Sequence, residues 1–249
     1  MDKIALVTGA AQGIGWGIAQ ALAGDVTAII LADIQRDLLA ERADALRATG
    51  TKVHFRCLDI GDPHEVDDLL GWSRREAGVV DILVNNAAIS GLRDGAKVPL
   101  HETTQVEWER CVAINLSGPF YMARAFAPGM IDQGWGRIVN ISSAAGRTFV
   151  PLASGAYSAT KAGVAALTWG MASDLGPHGI TVNAVAPGRI ETPTGAAVKR
   201  SSEYLDRIPR RRSGVPDDIA GAVRYLVSDA ADYVTGTTID VHGGLYMGP

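Results

Sequence analysis

Seven short apolar runs, set apart by longer stretches with helical spacing, constrain this chain more than any other feature. The runs are Ile4–Thr8, Ala28–Asp33, Lys52–Cys57, 81–84, Gly136–Ile141, 181–186 and Thr238–Val241. Most are near-continuous rather than alternating, which is the pattern of parallel strands covered on both faces. Helical stretches over Gly13–Ala23, 36–48, 63–77, 104–130, Gly155–Leu175 and 216–228 lie between them. Alternation of this kind closes through right-handed crossovers into one doubly wound parallel sheet. The expected fold is α/β: a Rossmann-type sheet of about seven strands with helices on both faces. It occupies a single domain over residues 1–249, with no linker or repeat in the sequence.

Composition narrows the partners. Hydrophobic residues make up 47% and charged residues 20% of the 249, enough for a sizeable core. A net charge of −4 offers no attraction for nucleic acid or an anionic membrane surface. The basic run Arg210-Arg211-Arg212 is short and reads as a solvated loop. The apolar runs are of strand length, well short of the ~20 residues a membrane span needs. Met1-Asp2-Lys3 leads straight into the first strand. A soluble, cytoplasmic protein is expected, with Cys57 and Cys111 as buried thiols. None of the histidines shows metal-ligand spacing, so no metal is expected.

The first strand runs into Thr8-Gly9-Ala10-Ala11-Gln12-Gly13-Ile14-Gly15. Glycines let such a turn approach a pyrophosphate, and the following helix offers free N–H groups and the positive end of its dipole. Asp33 ends the second strand, eighteen residues after Gly15. A carboxylate there can accept hydrogen bonds from both adenosine ribose hydroxyls and would repel a 2′-phosphate. Neither Gln12 nor Ile34 supplies a cation for that phosphate, so NAD is expected over NADP, with Arg36 as the one nearby guanidinium that could admit it. The alternative role for Asp33 is capping of the next helix. Asp59, after the third strand, suits a hydrogen bond to the adenine amino group or a plain turn cap.

The chain resembles the classical short-chain dehydrogenase/reductase family over essentially its full length. The resemblance is carried by Thr8-Gly9 with Gly13 and Gly15, Asn85-Asn86-Ala87-Ala88, Asn115, Ser142-Ser143, Tyr157 with Lys161, and Pro187-Gly188. Ala88 stands where the family usually has glycine. The stretch from Ser143 to Tyr157 is slightly longer than the commonest family spacing, which concerns the loop 147–154. The cofactor positions implied are Gly9, Gln12, Gly13, Ile14, Gly15, Asp33, Ile34, Asp59, Ile60, Asn86, Ala87, Tyr157, Lys161, Pro187, Gly188, Ile190 and Thr192. Asn85 matches the family residue that lines the adenosine side and steadies the central strands. Ile190 and Thr192 match positions that hold the nicotinamide carboxamide.

Tyr157 and Lys161 are four residues apart, on one helix face and about 6 Å apart in rise. Taken alone, such a pair is more often an ordinary helix-surface contact. A free tyrosine has a pKa of about 10, and a nearby ammonium lowers it toward a useful range. The resemblance implies that Tyr157 exchanges the proton with the alcohol oxygen. It implies that Lys161 holds the nicotinamide ribose and that Ser143 hydrogen-bonds the substrate oxygen, with Ser142 as the alternative. Asn115 would support a water-linked proton path to Lys161. The catalytic set is therefore Asn115, Ser143, Tyr157 and Lys161.

The activity expected is NAD(H)-dependent interconversion of a secondary alcohol and a ketone, the substrate being a small alcohol, polyol or sugar. Reduction of a 3-oxoacyl thioester on acyl carrier protein is the alternative, and a non-catalytic cofactor-binding scaffold is the reading from another class. The loops 90–103 and 190–212 are expected to shape the substrate pocket. The resemblance also implies a homotetramer built through the long helices.

Overall fold

A computed structural model describes residues 3–192 and 205–247. Its centre is a seven-stranded sheet in the order β3-β2-β1-β4-β7-β8-β9, every neighbouring pair parallel. The strands are β1 (Ile4–Thr8), β2 (Ala28–Asp33), β3 (Lys52–Cys57), β4 (Ile82–Asn85), β7 (Gly136–Ile141), β8 (Ile180–Pro187) and β9 (Thr238–Val241). The helices are α1 (Gly13–Ala23), α2 (Arg36–Arg47), α3 (Pro63–Glu76), α4 (Gln105–Val112), α5 (Gly118–Gln133), α6 (Gly155–Leu175) and α7 (Pro216–Val227). Two fully buried apolar layers sandwich the sheet. Val7 and Leu31 face Ile18 of α1, Leu39 of α2 and Val223 of α7. Leu6 and Leu83 face Leu69 of α3, Phe126 of α5 and Met171 of α6. This double coverage explains the near-continuous apolar strands.

Local chemistry sets the helix ends. Asp62 caps α3, its carboxylate accepting from the His64 N–H at 2.8 Å, with Pro63 in the first turn. Thr104 and Glu107 form a reciprocal capping box at the start of α4. Gly134, with φ +67°, stops α5.

Four expectations are corrected. The stretch 104–130 is not one helix: a π turn over Ala113–Ser117 separates α4 from α5, and α5 runs on to Gln133. The widened turn carries Asn115, whose side chain bonds outward to Ile89, and wide turns of this kind cluster at functional sites. The 90–103 segment is more than a loop, because it holds a two-stranded antiparallel hairpin, β5 (Leu92–Arg93) and β6 (Ala96–Lys97). Its turn is made by Asp94 (φ 51°) and Gly95 (φ 79°). Asp81 precedes β4 rather than opening it, because its carboxylate accepts from the Ile4 N–H at 2.8 Å. Cys57 is only half-buried, its thiol against the Ile34 carbonyl, whereas Cys111 is fully buried.

Candidate active site

The switch point of the sheet lies between β1 and β4, where successive crossovers leave in opposite directions and a crevice opens at the carboxyl ends. Gly9 and Gly13 take φ +65° and +58°. A Cβ at Gly9 would lie 2.8 Å from the Ala87 Cα, and one at Gly15 would overlap the Gly9 carbonyl oxygen. The turn thus leaves no room for a side chain at Gly9 or Gly15. No side chain caps α1 at Gln12, and its first turn carries no acid, so its N–H groups and dipole suit an anion. Gly15→Ala should push the turn apart at a cost of roughly 1–3 kcal/mol. If the whole cost falls on the bound state, that corresponds to about 5- to 150-fold weaker NADH binding, read by nucleotide fluorescence. An unchanged Kd would argue against a pyrophosphate seat here.

Asn85, the last residue of β4, and Asn86, just past it, divide the labour, because successive side chains of an extended chain point to opposite faces. Asn86 grips the turn: its Nδ2 donates to the Thr8 carbonyl at 2.9 Å and the Gly9 carbonyl at 3.2 Å. The Thr8 hydroxyl accepts from the Asn86 and Ala87 N–H groups at 3.0 and 3.1 Å. Asn85, expected to line the adenosine side and steady the central strands, is buried and makes contacts of the second kind: it donates to the Asn140 Oδ1 at 2.8 Å, and Asn140 donates on to Thr168 at 3.0 Å. Asn85 therefore ties β4 to β7 and α6.

At the adenosine end the Asp33 carboxylate accepts from the Ala11 N–H through one oxygen and from the Gln35 N–H through the other, each at 3.0 Å. Ile34 is 61% exposed, and Arg36 is exposed on the first turn of α2. Sequence reasoning passed over Arg42, whose Nε donates to the Ala11 carbonyl at 3.1 Å while its guanidinium lies over the Trp16 ring. Nothing in the spacing of α2 marks that contact. Asp59 is engaged on both oxygens, by the Gly61 N–H at 2.9 Å and by Arg110 at 2.6 Å. The Ile60 side chain is in the core.

The other end of the crevice gathers the motif residues after β7 and β8. Gly188 donates its N–H to the Val241 carbonyl at 3.0 Å, and Ile190 bridges to Gly214. Thr192 lies against the glycine-rich turn, its methyl 3.2 Å from where a Gly13 Cβ would be. Residues 193–204, the middle of the expected 190–212 lid, lie outside the described residues. Beyond them, Arg211 pairs with Asp206 and Arg212 pairs with Asp218 through two hydrogen bonds.

Ser142 and Ser143 separate by burial. The Ser142 hydroxyl is buried and donates to the Lys161 carbonyl at 2.7 Å, a purely internal use. Ser143 is partly exposed and accepts from the Ala145 N–H at 3.1 Å, opening a 3₁₀ turn over Ala144–Gly146. Tyr157 is half-buried in the first turn of α6, and burial pushes its phenol above the ordinary value while the Ser143 hydroxyl pulls it back. Lys161 is buried, donates to the Ile141 carbonyl at 2.7 Å and sits 5.8 Å from the centre of the Tyr157 ring. Its own pKa falls to about 8 through burial. The expected lowering of Tyr157 by Lys161 is therefore not what dominates here, because the ammonium is turned to the Ile141 carbonyl.

Asn115 is fully buried in the π turn. Its Oδ1 accepts from the Ile89 N–H at 2.8 Å, and its Nδ2 donates to the Ile89 carbonyl at 2.9 Å and the Thr160 hydroxyl at 3.2 Å. Among the described residues, no group of three or more His, Cys, Asp or Glu is placed to hold a metal ion, and no helix is long and apolar enough to cross a membrane.

Known proteins are similar to this chain in sequence and in fold. The family model described as enoyl-(acyl carrier protein) reductase matches residues 9–246. Nodulation protein G of Azospirillum brasilense is 40% identical, the match covering 98% of each chain. The 3-oxoacyl-(acyl-carrier-protein) reductase FabG of Escherichia coli is 38% identical, again over 98% of each chain. A 3-oxoacyl-(acyl-carrier protein) reductase of Brucella melitensis, solved with bound NAD, superposes with a TM-score of 0.91 at 37% identity, covering 99% of this chain and 92% of that one. A gluconate 5-dehydrogenase of Burkholderia cenocepacia, solved with NADP and tartrate, also gives 0.91, at 35% identity over 98% and 96% of the two chains. With these matches spanning nearly its whole length, the chain belongs to the short-chain dehydrogenase/reductase family of oxidoreductases.

Proposed function

We propose that this protein is an NAD(H)-dependent oxidoreductase that interconverts a secondary alcohol and a ketone, with Tyr157 as its acid/base. The observation that carries the reading is the convergence of Ser143, Tyr157 and Lys161 at the carboxyl end of β7, locked together through Ser142 and Ile141. When bound, the nicotinamide supplies the hydride acceptor or donor. The residues fit such a group: an uncapped α1 N-terminus and a turn without Cβ atoms would take its pyrophosphate. Asp33 would take the ribose diol, and Pro187, Gly188, Ile190 and Thr192 the carboxamide end. Ser143 would hold the substrate oxygen while Tyr157 exchanges a proton with it. A phenol held above its ordinary value is a proton donor at neutral pH, which suits ketone reduction.

The substrate in this reading is a small alcohol, polyol or sugar, a class supported by the gluconate 5-dehydrogenase likeness. Reduction of a 3-oxoacyl thioester is the competing reading, favoured by the two acyl-carrier-protein reductases. Loops 90–103 and 190–212 would border the pocket of a single catalytic domain. A homotetramer in the cytoplasm, with α5 and α6 at a contact between copies, completes the proposal. Phe120 and Leu167 flank an apolar hollow on that face.

NADH absorbance against a panel of ketones and 3-oxoacyl thioesters tests the activity. Asp33 tests the cofactor. Its carboxylate faces a 2′-phosphate with like charge, in a crevice where screening is weak. Asp33→Ala should shift the ratio of kcat/KM for NADH over NADPH toward NADPH by about tenfold or more, the scale of one charge-assisted hydrogen bond. Asp33→Asn, which keeps an acceptor for the Ala11 or Gln35 N–H, separates lost charge from a loosened turn. Ile34→Arg should move the ratio further by offering a cation to the phosphate. A wild type that prefers NADPH, or a ratio unmoved by these changes, would transfer the discrimination to Arg36 or Arg42.

A further inference from the structure

Both backbone polar groups of Tyr157 are held by side chains. Its N–H donates to the Ser154 hydroxyl at 3.1 Å, and its carbonyl accepts from the Thr160 hydroxyl at 2.9 Å. Each of those side chains leads to the same place. The Ser154 hydroxyl donates to the Ser90 carbonyl at 3.1 Å, and Thr160 accepts from Asn115, which clasps both backbone groups of Ile89. Through the Ile89–Ser90 peptide, the hydrogen bonds close a ring around the tyrosine. Ser154, Thr160 and Asn115 are all at least 97% buried, so water does not compete for these bonds.

Ile89 and Ser90 are the root of the β5–β6 hairpin, and the hairpin is fastened on its outer side as well. Lys97 donates to the Pro151 carbonyl at 3.1 Å and lies over the Phe149 ring. Arg93 bonds both Glu107 oxygens at 2.8 Å, and its Nη2 also reaches the Glu102 carbonyl. At the root, Gly91 takes φ +63°, and a Cβ there would lie 2.6 Å from the Ser154 Oγ. A helix cap needs only an acceptor from Ser154. Here its proton is also committed, to the hairpin root, and the root is pressed against it.

We propose that the hairpin root at Ile89–Gly91 positions Tyr157 through Ser154, so that this segment governs the proton-transfer step rather than substrate choice alone. Ser154 and Thr160 are positioning residues in this scheme, acting through Tyr157. The inference rests on the assignment of Tyr157 as acid/base. Displacing the phenol from Ser143 removes the interaction that lowers its pKa, so a loosened frame should move the tyrosine's titration to higher pH.

Two variants of the full chain test this. Gly91→Ala pushes the root off Ser154 without altering α6. Ser154→Asp keeps an acceptor for the Tyr157 N–H but has no proton for the Ser90 carbonyl. Both should speed amide hydrogen exchange across 154–161, measured by mass spectrometry without cofactor. Both should also lower kcat by about 10- to 100-fold, the scale of a misplaced catalytic group, with NADH affinity unchanged. With the best substrate from the panel, the acid limb of alcohol oxidation should move to higher pH in Gly91→Ala, which adds no charge; in Ser154→Asp the new carboxylate raises the phenol pKa by itself, so there the exchange result decides. Ser154→Thr, which can make both bonds, should restore wild-type behaviour. Wild-type exchange across 154–161 in Ser154→Asp would overturn the proposal, even if Gly91→Ala fails to fold. The exchange result does not depend on Tyr157 chemistry, so a failure of the acid/base assignment appears separately, as near-normal turnover of Tyr157→Phe.

Discussion

Replacing Tyr157 by phenylalanine should lower turnover by at least ~100-fold, the usual scale for a lost general acid/base, while NADH still binds. The substitution removes one oxygen and little else. The ring keeps its place in the first turn of α6, and the groups that hold the backbone of residue 157 are untouched. Single-turnover hydride transfer and NADH fluorescence, measured on the same protein, separate chemistry from binding. The wild type carries its own pH signature. Ketone reduction needs the protonated phenol and should fall as pH rises through the tyrosine pKa, which burial holds high in the free protein. Alcohol oxidation should show the mirror dependence. Near-normal turnover in Tyr157→Phe, or identical pH profiles in the two directions, would remove Tyr157 from the chemistry.

Lys161→Met should divide activity from stability. Loss of the ammonium should reduce turnover by about 100-fold or more, because the group proposed to hold the nicotinamide ribose beside Tyr157 is gone. The same change should raise the melting temperature of the cofactor-free protein at pH 7. Burial lowers the Lys161 pKa from 10.5 to about 8, so the fold carries a charged group it disfavours. The shift corresponds to an order of 3 kcal/mol, partly offset by the Ile141 carbonyl that methionine leaves without its donor. Between about pH 8 and 10.5 the unfolded lysine is still protonated while the folded one is not, so wild-type stability rises with pH across that window. The stabilisation of Lys161→Met should therefore be full below pH 8 and fade above it. Thermal melts from pH 6 to pH 10 on both proteins read the effect directly. A variant less stable than wild type at pH 7 would show that the Ile141 bond outweighs the buried charge.

What could be read from the chain depended on range. The buried strands announce themselves, because double coverage writes itself into runs such as Ala28–Asp33. The spacing of Tyr157 and Lys161 is local to one helix and equally plain. The π turn was hidden, because no periodicity distinguishes α4 and α5 from one long helix when the break is a single widened turn around Asn115. Strands of two residues, as in β5 and β6, have no period to detect. The division between Asn85 and Asn86 was illegible for another reason. Both faces of β4 are buried, so apolar neighbours gave no parity to say which asparagine looks toward the crevice. Contacts such as Arg42 to Ala11 and Ser154 to Ser90 join residues 31 and 64 positions apart, and only the assembled sheet brings them together.

The strand order also has a consequence for how the chain comes into being. β2 and β3 add successively to one side of β1, and β4, β7, β8 and β9 add successively to the other. Each strand leaving the ribosome therefore docks on an edge that already exists. None has to be inserted between two strands already paired, which would require breaking a ladder and paying loop-closure entropy twice. Synthesis and assembly can run in the same direction, and the β1 and β4 walls of the crevice are translated before α6, while the end formed by residues after β8 follows it. The cost falls on the growing edge, since every newly added parallel strand is briefly an open template for another chain. That exposure ends only with β9, a four-residue strand too short to offer a long edge of its own.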